Sequence, residues 1–280
     1  MNSMSTKIGI VFKPMEEAKR ASEDFAKLIL SKQKVELLGP FCITDLKVGD
    51  LDLCDAIFTF GGDGTILKTA RILNSAKPVL VGVNYGRLGF LAEVSPPLIE
   101  NVLNDILTGH FPYYTIPRII GRLYSEKESA VSPPALNEFF FAADVTGRLI
   151  TLKIVIQDTM VYKGRMDGLI VSTAMGSTAY SLSAGGPVVD PEAEVTVLTH
   201  IAPINIALRP IVVNKSKKIS IINVDTNNIK MIIDGMHWRE LLPGEHLEIS
   251  EFEIPIKLYR AQHDLLTKLF EKRLMLERKL

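Results

Sequence analysis

Cysteine is scarce in this chain: Cys42 and Cys54 are the only two among 280 residues. That excludes a disulfide scaffold and suits a reducing compartment. Charge of one sign is not in excess either, with 32 Lys and Arg against 32 Asp and Glu. The balance excludes a general nucleic-acid binder, which needs surplus cations against phosphate, and a protein that works by coating an anionic membrane. The one long charge-free stretch, Gly168 to Val189, is rich in Ser, Thr and Gly and carries Pro187, so it is a poor bilayer span. Met1 to Lys7 contain no cleavable apolar segment. Internal repeats and low-complexity linkers are missing, and the five histidines are scattered without metal-ligand spacing, so no fixed protein metal site is expected. What is present is a globular balance, 47% hydrophobic and 23% charged. These numbers exclude a disordered chain and lead us to expect a cytoplasmic protein that engages neither membrane nor nucleic acid.

The first ~110 residues alternate strand-like and helix-like pieces, the pattern of βαβ units. Lys7–Phe12, Asp55–Phe60 and Pro78–Val83 are short apolar runs, and between Glu16 and Ser31 apolar residues recur at helical spacing. Thr65–Leu73 reads as a helix, and Ser95-Pro96 starts another that runs to about Thr108. Beyond Pro112 β-rich runs follow one another: Arg118–Tyr124, Leu149–Gln157, Lys218–Val224, Ile229–Asp234, His246–Ser250 and Ile254–Tyr259. Helical spacing returns from His263 to Lys279. Hence the expected fold class is an α/β N-terminal domain with a parallel sheet, followed by a mostly-β C-terminal domain. The terminal helix suits packing on the body of the protein, with a membrane or partner surface as the alternative.

Four passages carry chemistry. Gly61-Gly62-Asp63-Gly64-Thr65 follows a strand and opens a helix, so its backbone can approach an anion and its N–H groups can face it. A carboxylate there is out of place in a pure phosphate loop. It makes sense if Asp63 accepts a proton from an attacking hydroxyl or helps hold Mg²⁺; the plainer alternative is a helix cap. The loop is neither a Walker A sequence nor a G-x-G-x-x-G fingerprint. Gly82 to Leu91 puts three glycines and Asn84 at the carboxyl edge of the sheet, where open α/β sheets bind ligands. Asn137-Glu138, before the apolar run Phe139–Ala143, offers a carboxamide and a carboxylate to hydroxyl pairs or a base edge. Asp167 to Pro187 runs from a strand into a dense set of hydroxyls and glycines without Lys or Arg, a lining of neutral hydrogen bonds.

Taken in order, Gly61–Thr65, Val83–Leu91, Leu136–Glu138, Asp167–Pro187 and Leu208-Arg209-Pro210 resemble the NAD kinases, which phosphorylate the 2′-hydroxyl of the adenosine ribose of NAD. The first motif alone is shared with diacylglycerol and sphingosine kinases and, loosely, phosphofructokinases. The resemblance implies that Asp63 is the proton acceptor, with Gly61, Gly62, Gly64 and Thr65 around the ligand. It implies that Asn137 and Glu138 hold the dinucleotide, that Thr178, Ala179, Tyr180 and Ser183 belong to the dinucleotide-binding segment, and that Asp167 is a further contact. Arg148 and Arg165 stand where the family often has a basic or imidazole side chain, and Lys68 where phosphate can be met. Two departures stand out: Ala174-Met175 replaces the usual Pro-Thr, and Met236 follows Asp234-Gly235 where an amide is frequent.

The same resemblance implies a phosphofructokinase-like α/β domain over 1–113, completed by a C-terminal helix over 261–280, and a β-sandwich-like domain over 114–260. It also implies ATP or polyphosphate as donor, Mg²⁺ carried with the donor, and a homodimer or homotetramer whose sites borrow residues from a neighbour. Two other readings compete. A lipid kinase would share the glycine-aspartate loop but leave Asn137-Glu138 and the Ser/Thr-rich segment idle. A silent NAD(H)-sensing module would leave Asp63 without work.

Overall fold

Short apolar runs separated by amphipathic segments build the first unit, which takes the chain up to Ile116 and again from Ile254. The computed structural model describes residues 5–85, 89–125, 129–145, 147–260 and 267. Within this unit the elements are β1 (Thr6–Phe12), α1 (Glu16–Leu30), β2 (Val35–Cys42), β3 (Ala56–Gly61), α2 (Asp63–Ile72), β4 (Val79–Asn84) and α3 (Ile99–Thr108). The strands lie parallel in the order β2-β1-β3-β4, and residues near Lys257 of the chain's last strand add to β4. β3 is buried along its whole length, as a parallel strand covered on both faces must be. Helix α1 buries Ala18, Ser22, Phe25, Ala26 and Ile29, a stripe at helical spacing, and Phe25 packs 4.7 Å from the ring of Phe58. The strand order reverses direction between β1 and β3. Ligands of open α/β sheets bind beyond the carboxyl ends of the strands at such a reversal.

Strand β2 escapes a reading by periodicity because Gly39-Pro40 interrupts it. Helix α2 begins at Asp63, two residues ahead of the expected Thr65, so the carboxylate occupies the first turn and complements the helix dipole.

The second unit, Pro117–Glu253, is β-rich. Its strands are β5 (Tyr113–Tyr124), β6 (Ser129–Val131), β7 (Glu138–Ala143), β8 (Ile150–Ile156), β9 (Thr159–Met166), β10 (Gly168–Thr173), β11 (Val195–Ile201), β12 (Ile211–Asn214), β13 (Ile219–Asn223), β14 (Ile229–Ile233), β15 (Met236–Leu241) and β16 (His246–Tyr259), with the one-turn helix α4 (Tyr180–Ser183) after β10. One sheet is antiparallel in the order β12-β11-β10-β7-β14-β15, and a second ladder runs β16-β13-β8-β9 with β5 on β16 and β6 on β5. β8, β13 and β14 alternate strictly between buried and half-buried residues, the mark of strands with one face on a core. That core includes Phe139 and Phe141 of β7, Leu152 and Ile154 of β8, and Leu169, Ile221 and Leu247.

The units divide inside β5 and β16, at Ile116/Pro117 and Glu253/Ile254, against expected boundaries at 113/114, at the start of β5, and at 260/261, just past the end of β16. His246–Ser250 and Ile254–Tyr259, expected as two strands, form the single strand β16, because no turn residue separates them. The helix expected over 261–280 and Gly86–Leu88 of the second glycine loop lie outside the described residues.

Candidate active site

In the α/β unit one cluster of expected site residues grows from the carboxyl ends of β1 and β3. Gly62 is extended and caps α2, and Asp63 opens the helix. Its carboxylate turns toward the stretch after β4. Oδ2 accepts the N–H of Phe90 at 2.8 Å, and Oδ1 accepts those of Leu91 at 2.9 Å and Ala92 at 3.1 Å. Three successive amides therefore fix the carboxylate and, reciprocally, the glycine-rich loop. Gly89 makes this approach possible, since a methyl group there would land on Asp63 Oδ1. Gly62 and Gly64, the chain neighbours of Asp63, line a cavity of about 220 Å³ with Lys13, Pro14, Ile43, Thr65 and Lys68. Two ammonium groups and a helix N-terminus around one hollow suit an anion. Lys13, the first residue after β1, is not among the residues that the motifs single out; its signal is its place at the switch point. Asn84, in register with Gly61, has a buried Oδ1 without a partner among the described residues.

In the β-rich unit a second cluster, described by itself, grows from β7, β10 and the β14–β15 turn. Asn137 is half-buried and Glu138 is 7% exposed. The Asn137 carbonyl accepts the N–H of Thr173 at 2.9 Å, and Thr173 Oγ1 donates to the carbonyl of Leu136 at 2.7 Å. Gly176 packs against Asn137 so closely that a Cβ would overlap the Asn137 carbonyl. Thr178 is buried and donates to the Met175 carbonyl at 3.2 Å. Ala179 is half-buried, while Tyr180 and Ser183 are exposed; the Tyr180 ring meets Phe140 edge-on at 5.0 Å. This brings Asn137, Glu138 and the 173–180 segment together.

Asp167, Arg165 and Arg148 stand elsewhere in the unit. Asp167 precedes β10, so it is roughly 20 Å along the strand from Thr173. Arg165 is exposed on β9, and Arg148 lies beyond the far end of β7, where it donates to Asn227 at 3.4 Å. Among the described residues no group of three or more His, Cys, Asp or Glu side chains could hold a metal ion.

Residues 13–111 match the ATP-NAD kinase N-terminal domain and residues 136–261 the ATP-NAD kinase C-terminal domain. The chain is 36% identical over 255 residues to the NAD kinase of Thiobacillus denitrificans, covering 87% of this chain and 86% of that protein. It belongs to the NAD kinase family. Another NAD kinase, from Thermococcus kodakarensis, is 35% identical over 88% of this chain and 89% of its own length. Among solved structures, the NAD kinase from Archaeoglobus fulgidus in complex with ATP superposes with a TM-score of 0.77 at 29% identity, covering 95% of this chain and 98% of that one. Yeast NADH kinase complexed with NADH shares the fold with a TM-score of 0.87 at 22% identity, over 100% of this chain and 90% of that one. Membership in the NAD kinase family sets the lipid-kinase reading aside, and with it the idle Asn137-Glu138 pair that counted against that reading.

Proposed function

We propose that this NAD kinase transfers the terminal phosphoryl group of ATP to the 2′-hydroxyl of the adenosine ribose of NAD, giving NADP and ADP. The observation that carries the reading is the firmly held Asp63 carboxylate in the first turn of α2, the same turn whose Gly64 and Thr65 line the lysine-flanked hollow. The new bond joins the ribose 2′-oxygen to the γ-phosphorus as the bond from that phosphorus to the β,γ-bridging oxygen breaks. Asp63 accepts the hydroxyl proton. Gly62 and Gly64 offer backbone N–H groups, and Lys13 and Lys68 offer ammonium groups, to the charge on the transferred phosphate. Such preorganised positive charge is most of what phosphoryl transfer asks of a protein. Mg²⁺, carried by the donor, neutralises phosphate charge when bound. The buried Oδ1 of Asn84 is an acceptor that a ligand hydroxyl would satisfy.

Asn137, Glu138, Thr178, Ala179, Tyr180 and Ser183 hold the dinucleotide in this scheme. Asp167 and Arg148, at the other end of β10 and β7, and Arg165, exposed on β9, serve the site of a second copy in a homodimer or homotetramer. The free thiols of Cys42 and Cys54 suit a cytoplasmic protein. No helix among the described residues is long and apolar enough to cross a membrane.

The test is incubation with NAD⁺ and Mg²⁺, with ATP in one arm and polyphosphate in the other, NADP⁺ being read by an NADP-specific dehydrogenase. NADP⁺ in the ATP arm supports the proposal, and in the polyphosphate arm alone it changes the donor. Silence in both arms despite NAD binding overturns it in favour of the sensing module.

A further inference from the structure

The family resemblance names Asp234-Gly235 only as the pair that Met236 follows and gives Asp234 no role, yet its carboxylate accepts three backbone N–H groups. It sits in the two-residue turn between β14 and β15. There Asp234 (φ 46°) and Gly235 (φ 76°) both have positive φ, and Ile233 pairs with Met236. This is the type I′ geometry that joins tight hairpins. From the turn the side chain reaches about a hundred residues back along the chain. Oδ2 accepts the N–H of Leu136 at 2.8 Å, and Oδ1 accepts those of Asn137 at 2.8 Å and Glu138 at 3.0 Å. The Asp234 N–H in turn donates to the Glu138 carbonyl at 3.1 Å.

Register explains why these amides need the carboxylate. The ladder between β14 and β7 ends at Ile233 opposite Phe139, because the hairpin turns there. Residues 136–138 thus run on past the last strand pair with Leu136 and Glu138 buried. Buried amides without an acceptor are costly, and one carboxylate with about four acceptor positions supplies what the strand no longer does. On the opposite side, the Asn137 carbonyl is held by Thr173.

We propose that Asp234 is a positioning residue for dinucleotide binding. Its carboxylate, acting through the backbone of 136–138, sets the side-chain directions of Asn137 and Glu138. The inference rests on the reading that this pair holds NAD.

The turn and the clamp can be separated by one substitution. Asparagine followed by glycine is at least as good in a type I′ turn as aspartate followed by glycine. Asp234→Asn therefore keeps the hairpin but brings an NH₂ group against an N–H donor. The experiment measures NAD dissociation constants directly, without donor, together with kcat and the ATP KM. It is done for wild type, Asp234→Asn, Asn137→Ala and the double variant, with Asp234→Ser as a second clamp variant should the first fail to fold. We expect Asp234→Asn to weaken NAD at least tenfold, with kcat and the ATP KM within about threefold of wild type. The double variant should bind NAD within about twofold of Asn137→Ala. Wild-type NAD affinity in both clamp variants, with Asn137→Ala impaired, overturns the positioning role and leaves the dinucleotide reading intact. Losses that simply multiply also overturn it, because Asp234 would then act independently of Asn137. Wild-type affinity in Asn137→Ala itself overturns the dinucleotide reading and the inference together.

Discussion

The two units solve the same problem with the same device and put it to different use. In the α/β unit Asp63 takes the amides of Phe90, Leu91 and Ala92; in the β unit Asp234 takes those of Leu136, Asn137 and Glu138. Each carboxylate pins a stretch of backbone with three consecutive N–H bonds. A parallel sheet leaves its loops past the strand ends, so the clamp sits in the first turn of a helix and faces the next loop. An antiparallel sheet leaves amides without a strand partner where a hairpin turns away, so the clamp sits in the turn. In the first unit the clamp is also the proposed base, and chemistry and architecture share one side chain. In the second the clamp lies behind the pair proposed to hold the ligand, and the two roles fall on different residues.

The largest effect should come from breaking the shared role. Asp63→Asn removes a general base, which is worth about 10²–10⁴-fold in turnover. By sequence alone this substitution would be a silent replacement for folding and NAD binding. The three amide bonds change that expectation, because the new NH₂ group must face an N–H of residues 90–92. Turnover should fall by that factor, and amide exchange at residues 90–92 should rise with it; unchanged exchange would show that Asp63 does not clamp the loop.

Next come the glycines that let each clamp close. Gly89→Ala and Gly176→Ala each force a methyl group into occupied space, with a cost of about 1–3 kcal/mol. They should part in kinetics: Gly89→Ala displaces Asp63 and lowers kcat, whereas Gly176→Ala pushes on Asn137 and raises the NAD KM. Steady-state kinetics on both, with urea unfolding for stability, checks the split. Smaller still, Lys13→Ala and Lys68→Ala should each raise the ATP KM by about 5- to 20-fold, the loss of one charge-assisted contact, without changing NAD affinity. Unchanged ATP KM in both would remove the hollow from the donor site.

The smallest effect separates the units by pH. His200 on β11 is buried, neither ring nitrogen has a partner among the described residues, and its ring lies 5.6 Å from that of Tyr162. Burial pushes its pKa down to about 4 from 6.5. Above pH 6.5 both folded and unfolded chains are neutral there and nothing is lost. As pH falls below 6.5 the unfolded chain takes up a proton that the folded chain refuses, and stability has dropped by roughly 2 kcal/mol at pH 5. His200→Phe should therefore raise the melting temperature relative to wild type at pH 5 by a few degrees more than it does at pH 8. Equal differences at the two pH values would show that the imidazole is not held neutral.

Local sequence determined a good deal. Apolar runs with helical segments between them prescribe a parallel α/β unit, and glycines followed by Asp63 prescribe a sharp strand-to-helix turn, because backbone conformation and side-chain period are properties of neighbouring residues. The Ser- and Thr-rich segment after β10 and the Asn137-Glu138 pair are legible for the same reason, as concentrated hydrogen-bonding chemistry. Strands β9, β11 and β15 were not legible, since their pairing depends on partners far along the chain and β9 is largely exposed. Nor could spacing show that Asp167 and Arg148 lie at the opposite end of the strands from Asn137; that follows from the antiparallel register of β7 and β10. Asp234-Gly235 reads locally as a hairpin turn and nothing more. Only the tertiary structure decides that its carboxylate meets amides about a hundred residues away, because a hydrogen bond of that span exists only once two sheet strands have stopped pairing at the same place.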